Sequence, residues 1–379
     1  MNRREFLTYA GSAVAFSVPA TSSVSAPSES APFVTDLFTS GMDGVHTFRI
    51  PALIRAADGS LLVFCEARKE SIKDASPTGM VLRRSVDNGR TWSPIQTIIQ
   101  GVGKDAIMNP CPVVDRTSGC ILLFCINAHK TIQGQHQQLL LTSKDHGATW
   151  TTPTDLANRI VGYDNSFVSG PGVSIQLNSG RLIVPGYTGT YKPETRTGLY
   201  SRVLYSDDNG EHWTLGAAVS EFSNECQAVE LCDGRVMLNM RDNTGKSRRA
   251  VALSNDGGET WGKVYWDPAL NECPCQASLI RYGFGEKDRK NQLIFANPDV
   301  SGARYGVVKR TRMTVRMSYD EGKTWPVKRM LHRGPSSYSS LARLENGNVG
   351  IVFEGGKEHR REWIRFMSFS PNWMTDTSD

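Results

Sequence analysis

Two sets of side chains in this 379-residue chain have the types and the spacing to do chemistry. The first is a row of aspartates, Asp87, Asp145, Asp208, Asp256 and Asp320, each within the pattern Ser-x-Asp-x-Gly-x-Thr-Trp, with His212 in place of Thr in the third copy. The second is scattered: Arg49, Arg68, Asp74, Glu225, Arg241, Arg310, Tyr338 and Glu354, which make four arginines, three carboxylates and one tyrosine. Guanidinium forks bind carboxylates in bidentate fashion, and carboxylates beside a phenol can move protons. An aspartate in a tight turn has a different job. It accepts N–H bonds within its own loop, beside a glycine that supplies φ > 0. The five repeated aspartates therefore read as structural, and the scattered eight as candidate chemistry.

The elements that would position the eight follow from the repeat. The five aspartates are separated by 58, 63, 48 and 64 residues, and a recurrent period of that size means a repeat architecture. Between them, apolar runs meet at Asp58-Gly59, Ser118-Gly119, Ser179-Gly180, Asp233-Gly234 and Asn346-Gly347, with a weaker version over 277–295. Such runs read as β-hairpins. Each Asp pattern follows a further short strand, such as 79–84 or 313–317, and a fourth strand completes the unit. Six such units predict an all-β fold, a six-bladed β-propeller of four-stranded antiparallel blades over residues 33–379.

Counting strand reversals assigns the loops to two ends of this propeller. The chain passes Arg49, turns at Asp58-Gly59 at the far end, returns to Arg68 and Asp74, and descends again to the first Asp pattern. The Asp patterns and hairpin turns thus share one face. Glu225 and Arg241 flank a hairpin on the other face, as do Tyr338 and Glu354. Arg310 precedes the third strand of the fifth unit, where Asp74 stands in the first. The eight candidate residues converge near one end of the axis. Taken singly, each charged residue is ordinarily a solvated surface group; their order and common face carry the argument.

Composition bounds the partners. A net charge of +5 without a long basic run excludes a nucleic-acid surface and suits at most an anionic ligand. Arg3-Arg4 precedes an apolar stretch, Tyr9 to Ala20, too short for a membrane span of ~20 residues. It resembles a twin-arginine export signal, so residues 1–32 are set apart as leader and linker and the product is expected in the periplasm or secreted, with no stable membrane insertion. Most of the eight cysteines, Cys65, Cys125, Cys226 and Cys232 among them, sit between apolar neighbours and read as buried free thiols.

The segments holding the eight residues are similar to those of bacterial exo-α-sialidases with Asp-box repeats. His46-Thr47-Phe48-Arg49-Ile50-Pro51 resembles the family's Phe-Arg-Ile-Pro motif; Glu66-Ala67-Arg68, Asp74, Asn224-Glu225-Cys226-Gln227, Leu238-Asn239-Met240-Arg241 and Ser337-Tyr338-Ser339 match family segments in order. The resemblance implies a retaining hydrolysis of terminal sialic acids on glycans, with no metal or other cofactor; the oligomeric state stays open, and a monomer is compatible with it. Arg49, Arg241 and Arg310 would bind the substrate carboxylate, Glu354 would orient Arg49, and Arg68 would help on the carboxylate or 4-hydroxyl side. Tyr338 would be the nucleophile, Glu225 its base and Asp74 the acid and then base. Arg312, two residues on, competes with Arg310, and Glu70 lies near Asp74. Asn109-Pro110 stands where many relatives carry an Asp near the N-acyl pocket, which bears on acyl preference. Tyr187 and Tyr191 either line the glycerol or aglycone side or are ordinary core and surface tyrosines. Two other readings share the fold, a propeller that only binds and a sialidase that transfers or forms an anhydro product.

Overall fold

The computed structural model describes residues 31–74, 76–128, 136–163, 166–189, 198–219, 221–283, 291–301 and 309–376. The leader expected over 1–32 lies outside this range but for its last two residues, and Tyr191 lies outside it as well. Nearly all the regular structure of the described residues is strand. All six expected hairpins are present, for example Thr47–Arg55 with Leu61–Arg68 and Ser223–Glu230 with Val236–Asp242. The second strand of a blade is covered on both faces by neighbouring blades. Leu61–Arg68, Val236–Asp242 and Val349–Gly355 are therefore buried along their whole length, and they read as apolar runs without alternation.

Register defines the blades. Four-stranded antiparallel sheets begin at Thr47, Ile107 and Ser223, and the third blade is a less regular sheet that runs through Leu182–Thr188 and Tyr200–Ser206. The fifth and sixth blades share one continuous strand, Val327–Arg343: residues 327–335 pair with Thr311–Ser318, and residues 336–343 turn inward to pair with Val349–Gly355. The outer strand of the sixth blade is the first strand of the chain, Phe33–Thr39, paired with Trp363–Phe369. The ring closes there, with Leu37 and Phe38 buried. Six apolar clusters fill the six seams between blades, from Phe48, Val63 and Phe366 between the sixth and first to Met313, Val315 and Phe353 between the fifth and sixth. Six blades and six seams make a closed propeller.

The Asp patterns are seam staples. Each starts on the last residue of a third strand, such as Ser85 or Ser143. In the first, Ser85 Oγ donates to Asp87 Oδ1 at 2.8 Å, and Thr91 donates its N–H (2.9 Å) and hydroxyl (2.6 Å) to the same carboxylate. His212 Nδ1 reaches Asp208 Oδ2 at 2.8 Å in the third copy and takes the place of the Thr hydroxyl. The glycine that follows has φ near +90° (87° at Gly89, 88° at Gly147), and a Cβ on Gly147 would lie 2.1 Å from Leu62 of the preceding blade. The sixth blade has no Asp pattern. Its third strand runs into the short helix Pro371–Thr375, capped by Ser370, whose Met374 is buried in the seam with the fifth blade.

The expectation for one cysteine is corrected, and the two competing arginines are set apart. Cys232 is exposed, because it stands in the Leu231–Gly234 hairpin turn and not within a strand. Arg312 does not share Arg310's side: it is a bulge residue with φ 60°, and its side chain is exposed.

Candidate active site

Seven of the eight candidate residues, Arg49, Arg68, Asp74, Glu225, Arg241, Arg310 and Tyr338, line one cavity of about 580 Å³, within the range of small-molecule sites. Glu354, the eighth, is fully buried directly behind Arg49. None of the Asp-pattern aspartates lines it. Glu70 is exposed and lies outside it.

A repeated backbone device aims the side chains. The inner strands of the first, second, fourth and sixth blades each carry one extra residue near the cavity: residues 50–51 face Cys65, 109–110 face Cys125, 224–225 face Arg241, and 337–338 face Glu354. A bulge of this kind bends a strand and re-aims a side chain. Glu225 and Tyr338 each occupy the second position of a bulge. Ile50 has φ 56°, costly for a β-branched residue at about 1–3 kcal/mol. Its N–H is held by Glu354 Oε1 at 2.7 Å, so the carboxylate that grips Arg49 also fixes the bulge beside it. Glu66 plays the same part for the second blade, accepting from the N–H of Asn109 (φ 57°) at 3.0 Å.

Tyr338 is at the centre. Its hydroxyl donates to Glu225 Oε1, and Arg241 Nη1 lies 2.5 Å from Glu225 Oε2 and 3.3 Å from the phenol oxygen. The guanidiniums of Arg49 and Arg310 stand 5.2 and 5.6 Å from its ring centroid. Burial, followed by the Glu225 charge, drives the phenol well above its ordinary value, against the pull of Arg241 and Arg310. The resting phenol is neutral.

The arginines are pre-positioned by buried partners. Arg49 Nε and Nη2 donate to Glu354 at 2.8 and 3.2 Å. Burial alone would raise the Glu354 carboxyl, but Arg49 outweighs it and holds the group below the ordinary value. Arg68 donates to Glu66 Oε2 through Nε and Nη2 at 2.9 and 2.6 Å, and through Nη1 to Asp74 Oδ1 at 2.7 Å. Arg310 has no carboxylate partner among the described residues; it donates to Ser337 Oγ at 3.0 Å and to the Pro274 carbonyl. The Asp74 side chain is 76 % exposed. Partial burial would raise it, but Arg68 and then Arg49 hold it below the ordinary carboxylate value, so it is ionised at neutral pH.

Three lining features were not assigned to the site from the sequence. Arg360 and Arg361 add two guanidiniums from the loop between Val349–Gly355 and Trp363–Phe369. That loop has the place of the Asp74 loop in the first blade, so the strand count that found Asp74 pointed at them too. Met108, Ile126, Ala128 and Val168 form an apolar wall on the second and third blades, near Tyr187 and Asn109. Cys273 and Pro274 complete the wall beside Arg310.

A dense cluster of guanidiniums around a phenol–carboxylate pair, at one end of a closed propeller, has the chemistry to suit a carboxylated ligand. Comparison with known proteins narrows the class. Residues 59–351 match the BNR repeat-like domain. The chain is 34 % identical over 364 residues to the sialidase of Micromonospora viridifaciens, across 89 % of this chain and 54 % of that protein. It is 30 % identical over 390 residues to bovine Sialidase-3, across 86 % of this chain and 89 % of the relative. Among solved structures, the Hadza microbial sialidase Hz136 superposes with a TM-score of 0.78 at 28 % identity, over 88 % of this chain and 68 % of that one. The chain belongs to the sialidase family with BNR repeats, and it spans about half the length of the Micromonospora relative.

Proposed function

We propose that the protein is an exported exo-α-sialidase that releases terminal sialic acids from glycans with retention, acting through Tyr338, Glu225 and Asp74. The observation that carries this reading is the hydrogen bond from the Tyr338 hydroxyl to Glu225, set among Arg49, Arg241 and Arg310. A sialic acid bears a carboxylate on its anomeric carbon. Three guanidiniums suit that group, and the same carboxylate repels an ionised Asp or Glu nucleophile. A neutral tyrosine escapes the repulsion, which is how sialidases depart from other glycosidases.

In this reading Glu225 takes the phenol proton as Tyr338 Oη attacks the anomeric carbon, and the bond to the leaving oxygen breaks as Asp74 protonates it. A water then attacks the anomeric carbon as Asp74 takes its proton, the bond to Tyr338 Oη breaks, and Glu225 returns its proton to the phenol oxygen. Asp74 has to leave Arg68 to serve as the acid, and a bound substrate carboxylate is the group that competes for the arginines. The apolar wall of Met108, Ile126, Ala128 and Val168 suits an N-acyl methyl, and Arg68 the 4-hydroxyl side. Residues 33–379 form the working domain, and residues 1–32 an export leader of the twin-arginine type.

The test is release of free sialic acid from a fluorogenic sialoside, with mass spectrometry of the product. The wild type turns it over and yields the free sugar; Tyr338→Phe and Asp74→Ala lose at least about 10³-fold and 10²-fold in kcat. Tight binding of sialosides without turnover would make the protein a lectin-like propeller instead, and an anhydro or transferred product would change the reaction class.

A further inference from the structure

Arg360 and Arg361 are surplus to the chemistry described above. Both line the cavity and are partly buried, and the Nε atoms of both are buried without a hydrogen-bond partner. Neither makes an ion pair among the described residues. The adjacent carboxylate, Glu362, is consumed by the turn itself: it accepts from the N–H groups of Lys357, Glu358 and His359 at 2.9, 2.8 and 2.6 Å. Gly356 closes that turn; a Cβ there would lie 1.9 Å from the His359 carbonyl oxygen. The turn thus holds two arginines at the rim while denying them a counter-ion. An arginine near a protein surface ordinarily keeps its guanidinium in water, and in these two the Nε end is shut off from it.

Charge accounting favours a second ligand group. Six guanidiniums line the cavity, those of Arg49, Arg68, Arg241, Arg310, Arg360 and Arg361. Four carboxylates line it or stand directly behind, Glu66, Asp74, Glu225 and Glu354. Two positive charges remain, and one sialic acid carboxylate neutralises only one of them. Protonation of Asp74 for its role as acid widens the gap. Burial, then repulsion from Arg49 and Arg360, pulls Arg361 down to about 10, and Arg360 is lowered by burial and by Arg310. The loop that carries them joins the second and third strands of the sixth blade, and it is the neighbour in the ring of the equivalent loop of the first blade, which carries the acid Asp74.

We propose that Arg360 and Arg361 form a second anion subsite at the cavity rim, which selects sialosides whose leaving group carries its own negative charge. The subsite rests on the sialidase reading, since a leaving group exists only if a glycosidic bond is cut. Two chemistries supply such a group: a neighbouring sialic acid carboxylate, as in an α2,8-linked pair, and a sulfate on the penultimate sugar.

The experiment compares kcat/KM for α2,8-disialyl-lactose, 6-sulfated α2,3-sialyllactose and plain α2,3-sialyllactose, in the wild type and in Arg360→Ala/Arg361→Ala. The wild type is expected to favour at least one anionic substrate over the plain one by about tenfold, and the double variant to lose most of that ratio. The ratio within one protein cancels any loss of folded enzyme. A gain for both anionic substrates means that charge is read, and a gain for the disialyl one alone means that the second sugar is read; either supports the subsite. An unchanged ratio in the double variant overturns it while leaving the sialidase reading intact. No turnover of any of the three by the wild type overturns both.

Discussion

Glu354 does two things with one carboxylate, holding the Arg49 guanidinium and the N–H of Ile50 in its left-handed bulge. Glu354→Gln keeps the shape but removes the charge from a fully buried pair and turns an NH₂ toward Arg49. Breaking such a pair costs about 3–5 kcal/mol, far more than a surface ion pair returns. The variant is expected to melt at a lower temperature and to lose at least about tenfold in kcat/KM, measured by thermal denaturation and steady-state kinetics; wild-type values in both would mean that Glu354 does not position Arg49. Asp74 makes a second prediction. In the free protein the Arg68 and Arg49 charges hold it below the ordinary carboxylate value. A bound substrate carboxylate competes for those arginines and excludes water, which raises the Asp74 carboxyl. The limb of the pH profile on which the protonated acid is lost should lie at higher pH in kcat, which reports the complex, than in kcat/KM, which reports the free enzyme. Coincident limbs would argue against Asp74 as the acid. The residue types and their common face were legible in the sequence. The bulges were not, because one extra residue in a strand leaves no compositional mark, and only Ile50-Pro51 and Asn109-Pro110 hint at it. Arg360 and Arg361 were overlooked although the strand count reached them, because they sit in no repeated motif.

At the scale of elements, the Asp patterns convert a turn into a fastening. Hydrogen bonds from the Thr91 hydroxyl and N–H hold Asp87 down to about 2, and the Thr149 pair does the same for Asp145. A carboxylate depressed in the folded state below its unfolded value of ~3.9 contributes stability that is present above that value and is lost as the pH falls toward 2. Each aspartate is exposed or only half-buried, so each contributes little alone. The sum should appear as a loss of melting temperature between about pH 4 and pH 2, and Asp145→Asn should flatten that limb; an unchanged limb would assign acid unfolding to other carboxylates. Gly147→Ala tests the packing side of the same device. It meets both a left-handed backbone and Leu62, and should destabilise by about 1–3 kcal/mol without altering the cavity. The five patterns were readable because the turn chemistry demands fixed residue types. The shared strand Val327–Arg343 was not, since a bend from one blade to the next needs no glycine or proline signature beyond Gly334-Pro335.

On the scale of the molecule, five seams are stapled by Asp patterns and the sixth, between the last two blades, is bridged by the strand they share. Closure rests on Phe33–Thr39, and the expectation of a domain over 33–379 can be tested there. A chain of residues 33–379 should fold and melt like the full-length protein. A chain beginning at 41 leaves the edge of Trp363–Phe369 unpaired and strips Leu37 and Phe38 from the first seam, and should aggregate. Soluble, active protein from the shorter chain would show that the ring tolerates being open. The register of this closing strand also sets an orientation. Phe33 pairs with Ser368 and Thr39 with Trp363, so the chain enters at the end of the axis that carries the Asp patterns, and the helix Pro371–Thr375 leaves at the same end. The cavity opens at the other. Held at Phe33 or at the helix Pro371–Thr375, whether by a bead, a fusion partner or a surface, the propeller points its mouth outward and leaves the cavity unobstructed.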